Sequence, residues 1–303
     1  MLQLHHESSQ ALENLRATGE FPPAWRTMAE LEAQTNKALK RFLEERYNVS
    51  QKLGGISLMI ELLDRIVRTE DQESLDGDTL SESEKLEVVQ ALDRQNHLLQ
   101  LYPRYATMLL GMLEDVATRE HRPLRILELA SGSGGLAIAI AEEAQRKKLD
   151  VSVTGSDVVQ KYVDEGNRQA AEKKLPLNFQ LLNAFELIEF PEGAFDITIM
   201  AHSLHHFTPG QLAVIIAQAA KHTKTAFIGI DGHRSIMMAG GIPLVALLQA
   251  IPAFIADGFT SARKFYTEKE LAMIAEIVTG RSDHTLTIDW PVNIITIRCY
   301  GIN

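Results

Sequence analysis

The hydrophobic pattern of the chain changes period near residue 121. Before it, apolar and small residues recur at three- and four-residue steps: Met28, Leu31, Thr35, Ala38 and Phe42, then Met59, Leu62, Leu63 and Ile66, then Tyr102, Tyr105, Leu109, Met112 and Val116. Such stripes predict three amphipathic helices whose apolar sides face a core. Residues 48–55 and the stretch from Glu70 to Glu84 separate them. The latter has seven carboxylates and no Lys or Arg, so a solvated loop is expected. Asp71, Glu73, Asp76 and Asp78 lack the regular ligand spacing of a calcium loop.

After residue 121 short apolar runs alternate with helical patterns. Strands are expected at 124–129, 151–156, 178–182, 195–200 and 224–230, with helices around 135–147, 159–173 and 209–221. This alternation predicts a parallel sheet covered on both faces. TLTIDW and IITIRCY flank Pro291, Val292 and Asn293, a spacing short enough for an antiparallel hairpin.

Composition narrows the picture. The 303 residues, 45% hydrophobic and 23% charged, suit a soluble globular chain of one large or two smaller domains. A formal net charge of −10 argues against a nucleic-acid partner, because phosphate binding needs clustered Lys and Arg. Cys299 is the single cysteine, and MLQLHHESSQ lacks the regions of a secretory signal, so a cytoplasmic location is expected. From Ile236 to Ala256 there are no charges, a length that just satisfies a membrane span. A span there would leave the sheet after its fifth strand and return before the sixth, and two prolines and a Gly-Gly pair interrupt it. Short helices serving as pocket wall, dimer contact or core are expected instead, with no integral membrane segment.

The candidate site is LRILELASGSGGLAIAIA, residues 124–141. It reads as strand, tight turn and helix, with the free N–H groups of the helix start aimed at a ligand. Gly132, Gly134 and Gly135 permit positive φ and close backbone approach.

Together with later motifs, this stretch resembles the class I S-adenosylmethionine-dependent methyltransferases over roughly residues 121–303. ELASGSG is similar to the family's first motif, with Glu128, Ala130, Gly132 and Gly134 in register and Ala130 where glycine is common. Asp157 of VTGSD resembles the ribose-binding acid. Asn183, Ala184 and Phe185 of LLNAF resemble the adenine-bracketing segment, with Asn183 replacing the common aspartate. FDITIMAHSLHHF resembles the fourth strand and the loop bordering the methyl group, with Ala201 at the cofactor.

The resemblance implies a Rossmann-like, doubly wound, seven-stranded mixed sheet with a C-terminal antiparallel hairpin at 121–303. Residues 1–120 then form a helical lid or dimerisation region. S-adenosylmethionine is the expected cofactor, and a homodimer the expected assembly. An ionised Asp157 accepts hydrogen bonds from vicinal hydroxyls, Asn183 can satisfy an adenine edge, and Phe185 can stack on the ring. The same glycines fit a relaxed G-x-G-x-x-A pattern with Asp157 twenty residues on, so an NAD(P)-dependent oxidoreductase competes. Glu128 decides against it, since a carboxylate there repels pyrophosphate and suits an amino group and a sulfonium.

In-line methyl transfer needs alignment and exclusion of water, with a base only for a protonated acceptor. His202 and His205 are the candidate catalytic bases; His206, His233 and Arg234 are expected at the substrate. The histidine spacing also suits a metal, but no further ligand set accompanies it, so none is expected. The acceptor is expected to be a small, largely apolar molecule such as an aromatic, polyketide or quinone-like metabolite. The alternative from another class is a non-catalytic cofactor-binding or protein-interaction module on the same fold.

Overall fold

The computed structural model describes residues 2–120, 122–238, 240, 241 and 250–299, without the side chains of 114–120. The amino-terminal region holds α1 (His5–Ala17), α2 (Met28–Leu53), α3 (Gly55–Val67), α4 (Glu82–Leu98) and α5 (Leu101–Glu120). Then follow β1 (Leu124–Leu129), α6 (Gly135–Lys147), β2 (Val151–Asp157), α7 (Gln160–Lys173), β3 (Leu177–Leu181), β4 (Phe195–Ala201), α8 (Pro209–His222) and β5 (Thr223–Gly232). The chain closes with α9 (Pro252–Lys264), α10 (Glu268–Thr279), β6 (Thr285–Asp289) and β7 (Val292–Arg298). Part of the apolar stretch, at 239 and 242–249, lies outside the described residues, as do the Val116 side chain and Tyr300. No helix among the described residues is long and apolar enough to cross a membrane.

The strand order is β3-β2-β1-β4-β5-β7-β6. Strands β1 to β5 run parallel, and β7 lies antiparallel between β5 and β6. This is the doubly wound, seven-stranded mixed sheet that the family resemblance implies. Its order reverses between β1 and β4, where ligands bind in such sheets.

Side chains alternate between the two faces. Leu127, Leu129, Met200 and Phe227 join one core with residues of α1, α2, α8 and α10, while Leu124, Ile126, Ile199 and Ile228 join another with α5, α6 and α7. Helices α1, α2 and α5 of the amino-terminal region therefore contribute to both covering layers of the sheet. Helix α2 also runs through the expected separator at 48–55 and ends at Gly54, whose φ of 64° lets the chain turn.

Helix α3 is inverted relative to its pattern. Ile56, Met59, Leu62, Leu63 and Ile66 are exposed, and the buried side carries Glu61 and Asp64. An ion network explains it. Fully buried Arg46 donates to Glu61 Oε2 and Asp64 Oδ2, both at 2.7 Å. Arg68 bonds Glu270 at 2.7 Å and Asp64 at 3.2 Å. Arg234, also fully buried, donates to Asp64 Oδ1 at 2.7 Å and to the carbonyls of Arg263 and Phe265. Burial opposes charge on Asp64, but the three guanidiniums outweigh it and hold its carboxyl well below the usual range. Arg234, expected at the substrate, is thus spent on structure.

Close packing also governs the glycines. A Cβ on Gly134, Gly155 or Gly166 would stand 2.2, 2.2 or 2.8 Å from the Phe179 ring. The absence of a side chain at Gly134 therefore makes room for β3 as well as permitting its φ of 91°.

Replacing Arg234 with methionine leaves Asp64 with a buried, less compensated charge, so Arg234→Met is expected to lose about 3–5 kcal/mol of unfolding free energy. Denaturant titration checks this; wild-type stability with weakened acceptor binding would return Arg234 to the substrate.

Candidate active site

The cofactor end is built where β1 runs into α6. Ala130 and Gly132 have φ of 51° and 54°, the left-handed conformation that turns the chain back to start the helix. Glu128, at the end of β1, is 3% exposed and accepts the Ala137 backbone N–H, while its Oε2 has no partner. Burial, aided by the charge of Asp93, pushes its carboxyl up to about 8. Asp93, from α4, accepts the Ser133 hydroxyl and the Tyr102 hydroxyl, and burial raises its pKa too. Two carboxyls with raised proton affinity therefore converge on the turn.

Asp157 ends β2 beside them. Its oxygens accept the Gly132 and Val159 backbone N–H groups at 2.9 and 3.0 Å, and burial raises its pKa. Asn183 is exposed, its Oδ1 accepting the Phe185 N–H at 3.1 Å; Ala184 follows, and Phe185 packs edge-on against Phe207 at 5.7 Å. Ala201 closes β4, and the Ser203 hydroxyl donates to the carbonyls of Ala130 and Ala201, tying the two strand ends together.

Beyond β4 a cavity of about 440 Å³ opens. Leu75, Val88, Leu92, Met238, Phe254 and Phe265 supply apolar wall. Met237, Met238, Gly241 and Phe254 are the part of the apolar stretch seen lining it. His202, His205, His206, Glu73 and Asp231 form its polar side. His202 has a φ of 56°, packs against Tyr102 and Tyr105, and has no partner at Nε2. Burial lowers its pKa to about 4, so it is a neutral ring at ordinary pH. His205 is 6% exposed. Its Nδ1 donates to Asp231 Oδ2 at 2.8 Å, and Asp231 also accepts the His205 backbone N–H. Burial opposes the Asp231 charge, yet His205 beside it holds the carboxyl below its ordinary value. His205 Nε2 has no hydrogen-bond partner.

Glu73 faces that nitrogen at 3.5 Å. It belongs to the acidic stretch expected to be solvated, yet it is 3% exposed. Asp257 accepts the Ser74 and Leu75 N–H groups at 2.7 and 3.1 Å, and Asp76 pairs with His206 Nδ1 at 2.8 Å. These bonds fold the stretch over the cavity. Leu75 and Leu80, apolar residues within the acidic run, pack with Val88 and Phe254 and were the available signal that the stretch is not simply a solvated one. His233 bonds Asn293 Oδ1 at 2.8 Å and, like Arg234, is absent from the cavity wall; neither stands where a substrate role was expected.

Residues 126–226 match the family model described as a methyltransferase domain. The chain is 32% identical over 87 residues to a demethylmenaquinone methyltransferase of Deinococcus radiodurans, 29% of this chain and 34% of that protein. It is 26% identical over 163 residues to a ubiquinone/menaquinone biosynthesis C-methyltransferase of Rickettsia bellii, 52% of this chain and 56% of that protein. The chain thus matches these curated relatives over one third to just over half of their length. These matches support a class I S-adenosylmethionine-dependent methyltransferase domain in this chain. Two solved methyltransferases share the fold. The plantazolicin methyltransferase BpumL in complex with SAH has a TM-score of 0.53 at 12% identity, over 72% of this chain and 91% of that one. The DszA carbon methyltransferase has a TM-score of 0.51 at 16% identity, over 97% and 71%.

The residues of this site fit the cofactor. The unpartnered Glu128 oxygen and the adjacent Asp93 suit a cationic amino-acid end, and Asp157 retains acceptor lone pairs for ribose hydroxyls. Asp93 was not singled out from the sequence, and Glu73 was weighed only within an irregular calcium-loop pattern, because each is brought in by an amino-terminal segment that carries no motif.

The raised pKa of Glu128 makes the folded state hold a proton that the unfolded chain releases. Stability from this site is full below the unfolded carboxyl pKa and is lost as pH rises toward about 8. Glu128→Gln has no such proton, so its melting temperature is expected to gain on wild type steadily from pH 5 to 8. A pH-independent difference refutes the assignment.

Proposed function

We propose that this protein transfers a methyl group from S-adenosylmethionine to a small acceptor lodged in the 440 Å³ cavity, by in-line displacement at the sulfonium. The observation that carries this is the adjacency of two compartments. A glycine turn with buried, cation-seeking carboxyls lies next to an apolar cavity of ordinary ligand size. His202 lies at the junction: it follows Ala201, the last residue of β4, and it also forms part of the cavity wall.

Each element has a role. Glu128 and Asp93 hold the amino-acid end, Asp157 the ribose, and Asn183, Ala184 and Phe185 border the adenine. Gly132 and Ala201 bring backbone close. The apolar wall excludes water from the transfer and positions the acceptor. The names of the curated relatives and the wall chemistry favour an aromatic or quinone-like ring, methylated at carbon or at a ring oxygen.

Activation of the acceptor falls to His205. Asp231 fixes its orientation and tautomer through Nδ1, which leaves the Nε2 electron pair at the cavity. His202, with its pKa lowered to about 4, is too weak a base for that task and serves as a neutral wall of the methyl-transfer path.

Two measurements test the proposal. Calorimetry is expected to show S-adenosylhomocysteine binding to the wild type, weakened at least tenfold by Asp157→Ala; no binding to the wild type defeats the proposal. With the acceptor identified from labelled-cofactor incubation of metabolite extract, His205→Ala is expected to lose about 10²-fold or more in kcat and to keep cofactor affinity. Unchanged turnover removes His205 from the chemistry.

A further inference from the structure

We infer that Glu73, His205 and His206 form a divalent transition-metal site in the wall of the acceptor cavity. The inference deepens the proposed function, on which it rests only in calling the cavity the acceptor's.

Three donor atoms converge. His205 Nε2 is 3.5 Å from Glu73 Oε1, His206 Nε2 is 3.7 Å from Glu73 Oε2, and one donor atom from each of the three residues lies within 4.8 Å of the others. Ligands about 2.0–2.2 Å from a common tetrahedral ion stand roughly 3.2–3.6 Å from one another, so little movement is needed to close on a cation. His205 Nε2 and Glu73 Oε1 are buried without a hydrogen-bond partner, which is costly unless something occupies the space between them.

The surrounding shell points the same way. Each histidine has its other nitrogen anchored by a carboxylate, His205 by Asp231 and His206 by Asp76, both at 2.8 Å. That carboxylate–histidine arrangement orients imidazoles toward metals and raises their basicity. The carboxylates of Glu73, Asp76 and Asp231 surround the two imidazoles, and Lys264 Nζ stands 3.5 Å from Glu73 Oε1. Ser261 donates to Glu73 Oε2 at 3.0 Å and fixes the carboxylate. Lys264 is the competitor for this charge and has a flexible stem on which to withdraw.

Two imidazoles and one carboxylate suit Zn²⁺, Fe²⁺, Mn²⁺ or Co²⁺, and exclude Mg²⁺ and Ca²⁺ as preferred occupants. All three ligands line the cavity, so the remaining coordination positions open toward the acceptor. The substrate class that fits is one with two neighbouring oxygens, a catechol, a hydroxyquinone or a 1,3-dicarbonyl. Its hydroxyl would become more acidic on coordination. In that role the His205 electron pair acts on the acceptor through the cation.

The test uses full-length protein freed of metal by a chelator and titrated with Zn²⁺, with Co²⁺ as the spectroscopic probe. One equivalent of Zn²⁺ is expected to bind. Affinity should fall at least about 100-fold in Glu73→Gln and His206→Asn, and about 10-fold in Asp76→Asn. Bound Co²⁺ should show the intense visible absorption of a low-coordinate nitrogen and oxygen site. Absence of saturable binding, or wild-type affinity in both ligand variants, overturns the site. If the variants fail to fold, pulsed electron paramagnetic resonance of the Cu²⁺-loaded wild type decides: two coordinated imidazoles support the site and none overturns it. S-adenosylhomocysteine titration of the metal-free protein runs in parallel. Cofactor binding without metal binding removes this site alone; metal binding without cofactor binding removes the methyltransferase proposal alone.

Discussion

The arrangement depends on the charge cluster buried beneath α3. Arg46, Arg68 and Arg234 close around Glu61, Asp64 and Glu270, and the cost of burying so many charges is offset only when all of them meet. The cluster turns α3 polar side inward and anchors its C-terminal neighbour Arg68. The acidic segment begins two residues later, at Glu70. Its path across the cavity therefore starts from a fixed point, and the same cluster ties down the backbone that follows α9 through the carbonyls of Arg263 and Phe265. Two walls of the cavity share one electrostatic clamp.

The site itself divides by the way burial acts on carboxyls. At the glycine turn burial outweighs the neighbouring charges, so Glu128 and Asp93 are pushed toward the protonated form. At the histidine side Asp231 has His205 against it and is held ionised in spite of full burial. The same physical cost thus yields opposite protonation states about one strand apart. One end waits for a positively charged ligand, and the other presents an oriented imidazole.

The catalytic half of the fold was legible because its information is local. The run of β1, the glycines after it, Asp157 and the histidines after β4 each sit at a strand end that the alternating pattern already locates. The amino-terminal half was not. Nothing near Asp64 in sequence announces a partner 170 residues away, and a stripe of Met59, Leu62 and Ile66 looks like a buried face unless Arg46 and Arg234 are known to occupy the other side. Glu73 was lost likewise: seven carboxylates in a row of loop residues suggest solvent, and only Asp257 and His206 show which way the segment folds. Arg234 and His233 lay at the correct strand end, but their partners turned them away from the cavity.

The Phe179 ring couples three positions that are far apart in the chain. Gly134 at the cofactor turn, Gly155 in β2 and Gly166 in α7 all lack side chains where that ring packs. Substitution at any of them is blocked while the phenyl group is present; shrinking the phenyl first would free Gly155 and Gly166 at once and leave Gly134 held only by its φ of 91°. Drift in the cofactor turn is therefore epistatic on a residue of β3 that touches no ligand. Descendants of this sequence can alter Gly134 only along a mutational path that passes through position 179.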